Sequence, residues 1–193
     1  MSTKARARLQ LLIVASLFLA PVVGAIALFF YFPEYIPAGR VNYGEMVSPA
    51  RALPPLNLLD EAGAPKPETL LDKWTLVVVA NEQCGESCKA QLIVTRQVRT
   101  AQNQHRGRVR RVYVAPTRAA LEAARADLAG EHPDLVFVAE ESGTAARFFG
   151  DTGESRVYLL DPLGNWLMSY PHPIEPRGLH RDLKKLLKIS QVG

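Results

Sequence analysis

Apolar residues run from Leu11 to Phe32 without a single charge, and the only polar side chains among them are Ser16 and Tyr31. These 22 residues predict a helix that can span a bilayer core of about 30 Å. Pro21 and Gly24 lie inside it, which membrane helices tolerate. The pattern then changes. Residues 33–67 are rich in proline and predict an extended tether, with a short edge strand where apolar residues return at 53–59. Residues 74–80 are too short and too β-branched for a helix and predict the first core strand. From Lys89 to Ala101, Val94, Val98 and Ala101 recur at helical spacing, with Arg96 and Arg99 facing outward. A second strand is predicted over 109–114. A helix follows over 118–129, with Leu121, Ala124 and Leu128 on one face and Gly130 ending it. A third strand is predicted at 135–138 and a short helix at 144–149, stopped by Gly150. Residues 156–160 and 166–170 flank Asp161-Pro162-Leu163-Gly164-Asn165, a hairpin signal. Leu179, Leu183 and Leu186 mark a closing amphipathic helix.

The order is strand, helix, strand, helix, strand, hairpin, helix. A βαβ start followed by an antiparallel hairpin and a covering helix predicts an α/β thioredoxin-like domain, a central mixed sheet flanked by helices, behind an N-terminal transmembrane helix. The expected division is a basic flank and transmembrane helix over 1–35, a proline-rich tether over 36–67, and the thioredoxin-like domain over 68–193.

Charge refines this picture. Residues 1–33 carry Lys4, Arg6 and Arg8 and no acid, and the overall net charge of +4 falls to +1 for the remainder. So slight an excess argues against a nucleic-acid partner. The three cations mark the cytoplasmic flank of a single-pass anchor, and Tyr31, Phe32 and Tyr35 form an aromatic collar at its far end. The folded domain is therefore expected outside the cytoplasm. Ala25-Ile26-Ala27 imitates a signal-peptide cleavage site, but Leu28-Phe29-Phe30-Tyr31-Phe32 carries the apolar run past it, which favours an uncleaved anchor. An apolar fraction of 48% allows a real core, and two cysteines are too few for a disulfide-stapled mini-protein.

Those two, Cys84 and Cys88, lie in Asn81-Glu82-Gln83-Cys84-Gly85-Glu86-Ser87-Cys88-Lys89. A strand that feeds a turn opening a helix puts both thiols at the C-terminal edge of the sheet. Helix N–H groups there favour thiolate over thiol. If both lie in the first helical turn, four-residue spacing puts them on one face, able to close a disulfide or to share one soft metal ion. Two unrelated buried cysteines are the plainer alternative, which the polar company of Glu82, Gln83, Glu86 and Ser87 weakens, since a purely structural cysteine prefers apolar neighbours.

Cys84, Cys88, the strand before them and Val157-Tyr158-Leu159-Leu160-Asp161-Pro162-Leu163-Gly164 resemble the thioredoxin superfamily, closest in plan to the membrane-anchored SCO/SenC proteins. The resemblance covers about residues 53–192. It implies an assembly factor for a respiratory cytochrome oxidase that delivers Cu(I) to, or reduces the thiols of, the copper site in cytochrome c oxidase subunit II. The anchor with Asn42-Tyr43-Gly44-Glu45 also resembles small bacterial membrane proteins associated with oxidase assembly. That implies the bacterial inner membrane, N-terminus cytoplasmic and domain periplasmic, with oxidase subunit II or other assembly factors as partners. The sequence departs from the family at one place. The SCO metal-binding histidine, or the cis-proline of thioredoxin-type oxidoreductases, falls just before the strand at 156–160, where this chain has Gly153-Glu154-Ser155. A carboxylate suits Cu(I) poorly. Of the four histidines, His105 reads as solvated beside the arginine cluster, His132 lies in a Glu-His-Pro-Asp loop, and His180 lies on the last helix. His172, in Pro171-His172-Pro173, is the candidate third ligand beside Cys84 and Cys88.

Two function classes follow. In the first, Cys84 attacks and Cys88 resolves, or both donate thiolates to Cu(I). In the second, the domain is a non-catalytic scaffold or interaction module whose cysteines form a structural disulfide. A thiol peroxidase would need Pro and Thr near the first cysteine, which Glu82-Gln83-Cys84 does not supply. Arg106, Arg108, Arg110 and Arg111 read as a solvated strand-end face, or else as a dock for an acidic partner or lipid headgroups.

Overall fold

The computed structural model describes residues 3–32, 42–80, 83–150 and 156–190, and the chain divides into two compact units, Met1–Val41 and Asn42–Gly193. The first unit holds one described helix, α1 (Thr3–Tyr31), with Pro21 inside it. Its stretch Arg8–Tyr31 is long and apolar enough to cross a membrane. Leu17, Phe18 and Phe30 are among the many large apolar side chains it leaves exposed. Such a surface is costly in water and natural in lipid, so α1 suits a single-pass anchor.

The second unit is built on a seven-stranded mixed sheet. In chain order its elements are β1 (Glu45–Ala52), β2 (Leu58–Leu59), β3 (Trp74–Val79), α2 (Glu86–Ala101), β4 (Val109–Ala115), α3 (Arg118–Leu128), β5 (Leu135–Glu140), α4 (Thr144–Phe149), β6 (Arg156–Leu160), β7 (Asn165–Pro171) and α5 (Pro176–Ile189). The strand order is β1-β7-β6-β3-β4-β5-β2. β3, β4 and β5 are mutually parallel, while β6 is antiparallel to both β3 and β7. This is the expected thioredoxin-like plan. β3 sits at the centre and is covered on both faces, which is why it reads as a continuous apolar run rather than an alternation. Leu76 and Val78 pack with Leu92 of α2, Leu121 of α3 and Leu183 of α5. Val77 faces the other way, with Phe149 of α4, Tyr158 and Trp166.

Two pieces of the stretch expected as tether, β1 and β2, are in the sheet. β1 pairs with β7 and β2 with β5, both antiparallel. β1 shows no alternation because almost all its side chains are exposed and Pro49 interrupts it. Its place is set instead by polar contacts far along the chain. The buried Asp182 carboxylate of α5 accepts from Tyr43 N–H and Gly44 N–H, both at 2.9 Å, and from Tyr170 O–H at 3.0 Å. Gly44 has to be glycine, since a Cβ there would sit 2.6 Å from Tyr170 Cζ. Burial, together with the Asp182 charge, holds the Tyr170 phenol far above its ordinary pKa.

The arginine run is also not the solvated face expected. Arg111 is only 1% exposed. Its guanidinium donates to Leu92 O at 2.6 Å, Thr95 Oγ1 at 3.1 Å and Asp134 Oδ1 at 2.9 Å. Burial lowers its pKa to about 10 despite Asp134, which leaves it charged. Arg108 donates to the carbonyls of Leu187 and Ser190 at the end of α5. Arg110 reaches the carbonyls of Glu68, Thr69 and Leu71. Arg108 and Arg110 satisfy carbonyls left over at helix and loop ends, and of the four only Arg106 is exposed. Nearby His132 is 2% exposed, with Nδ1 unpaired in the interior. Burial lowers its pKa, and the charges of Arg111 and Arg96 add to that.

Three outcomes are expected. Arg111→Met leaves Asp134 Oδ1 without its buried partner and costs about 3 kcal/mol of unfolding free energy in denaturant titration of the detergent-solubilised chain. Arg106→Ala shifts the same curve by less than about 0.5 kcal/mol. Because His132 has a folded-state pKa below its unfolded value, the unfolded chain binds the extra proton. Stability is then full above the ordinary histidine range and falls as pH drops through it. Thermal melts between about pH 7 and pH 5 should therefore lose more midpoint temperature in the wild type than in His132→Phe.

Candidate functional site

β3 ends at Val79, and Ala80 N–H still bonds Val114 O at 2.9 Å, so the chain leaves the sheet at its C-terminal edge. Asn81 and Glu82 lie outside the described residues. Cys84 follows, then Gly85 in extended conformation as N-cap, and α2 begins at Glu86. The sequence expectation of both thiols in the first turn is thus met by Cys88 alone, with Cys84 two residues ahead of the helix. Gly85 carries no capping side chain, so the N–H groups of the first turn keep their favourable field for a negative sulfur beside them.

Cys84 and Cys88 form a disulfide, with Cα atoms 5.2 Å apart. Cys88 is 7% exposed and packs in the core with Leu92 and Ala124, whereas Cys84 lies at its margin and is half-buried. Cys84 is therefore the sulfur that an incoming thiolate can reach. It opens onto a groove of about 280 Å³ lined by Gln83, Lys89, Ala120, Ala123, Ala124 and Asp127. Lys89 Nζ is 2.7 Å from Asp127. This hydrogen bond and charge raise the Lys89 pKa, so its cation is directed to Asp127. The α3 side of this groove escaped the sequence reading, which followed Leu121, Ala124 and Leu128. Its signal is the small-residue spacing Ala120, Ala123, Ala124 on the flank of that apolar stripe.

The remaining candidates stand apart from the pair. His172 is exposed, just past the end of β7. The register Val78↔Val157 and Arg156↔Pro171 puts that end at the same sheet edge as the end of β3. One strand, β6, lies between them, so two strand spacings, about 10 Å, separate their backbones. The His172–Pro173 peptide bond is cis. His180 borders α2, and His105 lies on the short turn after it. Gly153-Glu154-Ser155, where the family histidine or cis-proline is expected, lies outside the described residues. Among the described residues no three His, Cys, Asp or Glu side chains are grouped to hold one metal ion. The buried carboxylate at this edge, Glu140, accepts from Ser142 N–H and Ala145 N–H at the start of α4 and is fully engaged there.

Known proteins bear on this arrangement. No curated protein matches the sequence. Among solved structures, yeast Sco1 superposes with a TM-score of 0.61 at 17% identity, covering 75% of this chain and 98% of the yeast chain. Arabidopsis thaliana ScoI, solved with copper bound, gives 0.57 at 18% identity over 71% of this chain and 98% of its own. A thio-disulfide isomerase from Thermus thermophilus gives 0.55 at 19% identity over 74% and 96%. These likenesses establish the thioredoxin-like fold. The model of the transmembrane-like, thioredoxin-like C-terminal domain family matches residues 74–190, more than half of the chain, and the chain belongs to that family.

Proposed function

We propose that this protein is a membrane-anchored, extracytoplasmic thioredoxin-like factor that assists assembly of a respiratory cytochrome oxidase through the Cys84–Cys88 pair. The observation that carries the reading is the asymmetry of the pair: one sulfur reachable beside a groove, the other buried behind it at a helix N-terminus. In the reduced protein, the Cys84 thiolate attacks one sulfur of a partner disulfide and expels the partner's second sulfur as a thiolate. The Cys88 thiolate then attacks Cys84 Sγ, closes the Cys84–Cys88 bond and releases the partner's remaining thiolate. Two electrons pass to the partner, which takes up two protons, and an upstream dithiol reductant restores the pair. Oxidase subunit II or another assembly factor is the proposed partner, and the resemblance to SCO/SenC proteins supplies that choice. The basic flank of α1 supports an orientation with the N-terminus cytoplasmic, and the resemblance to bacterial membrane proteins supplies the inner membrane, with the domain periplasmic.

Cu(I) is the alternative cargo. Two thiolates are the soft donors it prefers, and Cys84 and Cys88 are already close enough to converge on one ion. The described residues bring no third donor to them, so His172 joins the set only by moving toward β3. The non-catalytic scaffold with a structural disulfide makes the opposite prediction on both counts.

The test uses the full chain in detergent. Mild dithiols should open the disulfide rapidly, and the reduced protein should reduce a model protein disulfide. Cys84→Ser should lower that rate at least about hundredfold, while Cys88→Ser should accumulate the mixed disulfide. Cu(I) titration against a chromophoric chelator decides the cargo: one tight equivalent lost in Cys84→Ser/Cys88→Ser, and weakened about tenfold by His172→Ala, would make copper the cargo. A disulfide that resists dithiols, with Cys84→Ser fully active in cells, would leave the scaffold.

A further inference from the structure

The solvent face of α5 carries a charge pattern that neither the fold nor the cysteine pair uses. Arg177, Arg181, Lys184 and Lys188 are exposed and recur at i, i+4, i+7 and i+11. That spacing lines them up within one narrow stripe about 16 Å long. Lys185 flanks the stripe. The only acid on the helix, Asp182, points inward and is 3% exposed. Several surface cations elsewhere in the domain have acid partners: Lys66 with Asp60, Lys89 with Asp127, Arg125 with Glu61, Arg156 with Glu45. On α5, none of the five cations forms an ion pair with a described acid, and only Arg181 is engaged, donating to Tyr43 Oη at 2.6 Å. Three like-charge pairs at i, i+4 oppose the helix in the free protein, and Arg177 also stands in its first turn, at its positive end. An anionic surface laid along the stripe removes both penalties.

Beside the stripe runs a shallow groove between α2 and α5, floored by Val98, Ala101 and Pro176, with Gln97 and His180 on its rim and no acid in its lining. At the far end of the helix Ile189 is 73% exposed. Cations bordering apolar surface match an amphiphile, with a phosphate head on the arginines and lysines and a glycerol–acyl region against Val98, Ala101 and Pro176. The chain also carries its own candidate membrane span, so a bilayer is a partner the domain meets at the effective concentration of a tether. We infer that the α5 face is a docking surface for anionic phospholipid headgroups, holding the domain down on the membrane that anchors it. The inference uses neither cysteine and stands apart from the proposed thiol chemistry.

The experiment reconstitutes the full chain in nanodiscs of phosphatidylcholine alone or with about 30 mol% phosphatidylglycerol, an anionic content that gives a substantial surface potential. Lysine acetylation rates are then read by mass spectrometry. In anionic discs Lys184 and Lys188 should be acetylated about fivefold more slowly or less, and salt near 0.5 M should restore their rates by screening. Lys66 and Lys89 on other faces should not change. In Arg177→Gln/Lys184→Gln/Lys185→Gln, all solvent-facing changes, Lys188 should label equally in both discs while Lys66 and Lys89 report an intact fold. Equal wild-type rates in the two discs overturn the inference. Protection by an added poly-glutamate peptide or by inorganic phosphate, without protection by phosphatidylglycerol, also overturns it and assigns the face to an acidic protein or a soluble anion.

Discussion

The structure depends on burying β3 on both faces. Its hydrogen bonds are used by β4 on one side and β6 on the other, and its side chains point alternately into two apolar layers. A strand so placed requires cover above and below. α2, α3 and α5 provide one layer, and α4 with the aromatic cluster of Phe148, Phe149, Tyr158 and Trp166 provides the other. The strand also has only one way out. The chain must leave at the sheet's C-terminal edge and turn into a helix, and that turn is where the cysteine pair sits.

Few buried charges tie the outer parts of the domain to this centre, and each is compensated. Arg111 would be costly under α2 without Asp134 and the carbonyl of Leu92. Asp182 would be costly under α5 without three donors. Both residues join segments distant in sequence: Arg111 links β4 to α2 and to the loop before β5, and Asp182 links α5 to the start of β1 and to β7. The polar ties therefore specify where edges and helix ends go, while apolar burial supplies the driving force. This division also sorts the cations. Those of β4 are turned inward to satisfy carbonyls, and those of α5 are turned outward with no acid among them.

At the sheet edge the same packing makes the two sulfurs unequal. Cys88 belongs to the helix and is drawn into the core beside Leu92. Cys84 belongs to the turn, and the alanines of α3 leave space beside it. A pair with one accessible and one sheltered sulfur is the arrangement that thiol exchange uses, because a mixed disulfide at the outer sulfur can be resolved by the inner one.

Local pattern was enough for much of this. The continuous apolar run of α1, the β-branched run of β3, the hairpin signal of Asp161–Asn165 and the helical spacing of α5 are set by interactions between near neighbours or by burial of a whole face, and both leave a period in the sequence. The thiol pair was legible for the same reason, since four-residue spacing next to a helix start is a local matter. Tertiary structure alone decided the rest. β1 has exposed side chains and no period, and it joins the sheet through backbone bonds to β7 and the Asp182 clamp more than a hundred residues away. Arg111 looks like its exposed neighbour Arg106 until Asp134 and Thr95 are brought to it. Nothing local distinguishes His172 from a ligand, because the register of β3, β6 and β7 sets its distance from the cysteines. Long-range contacts write no periodicity, so only the folded chain reveals them.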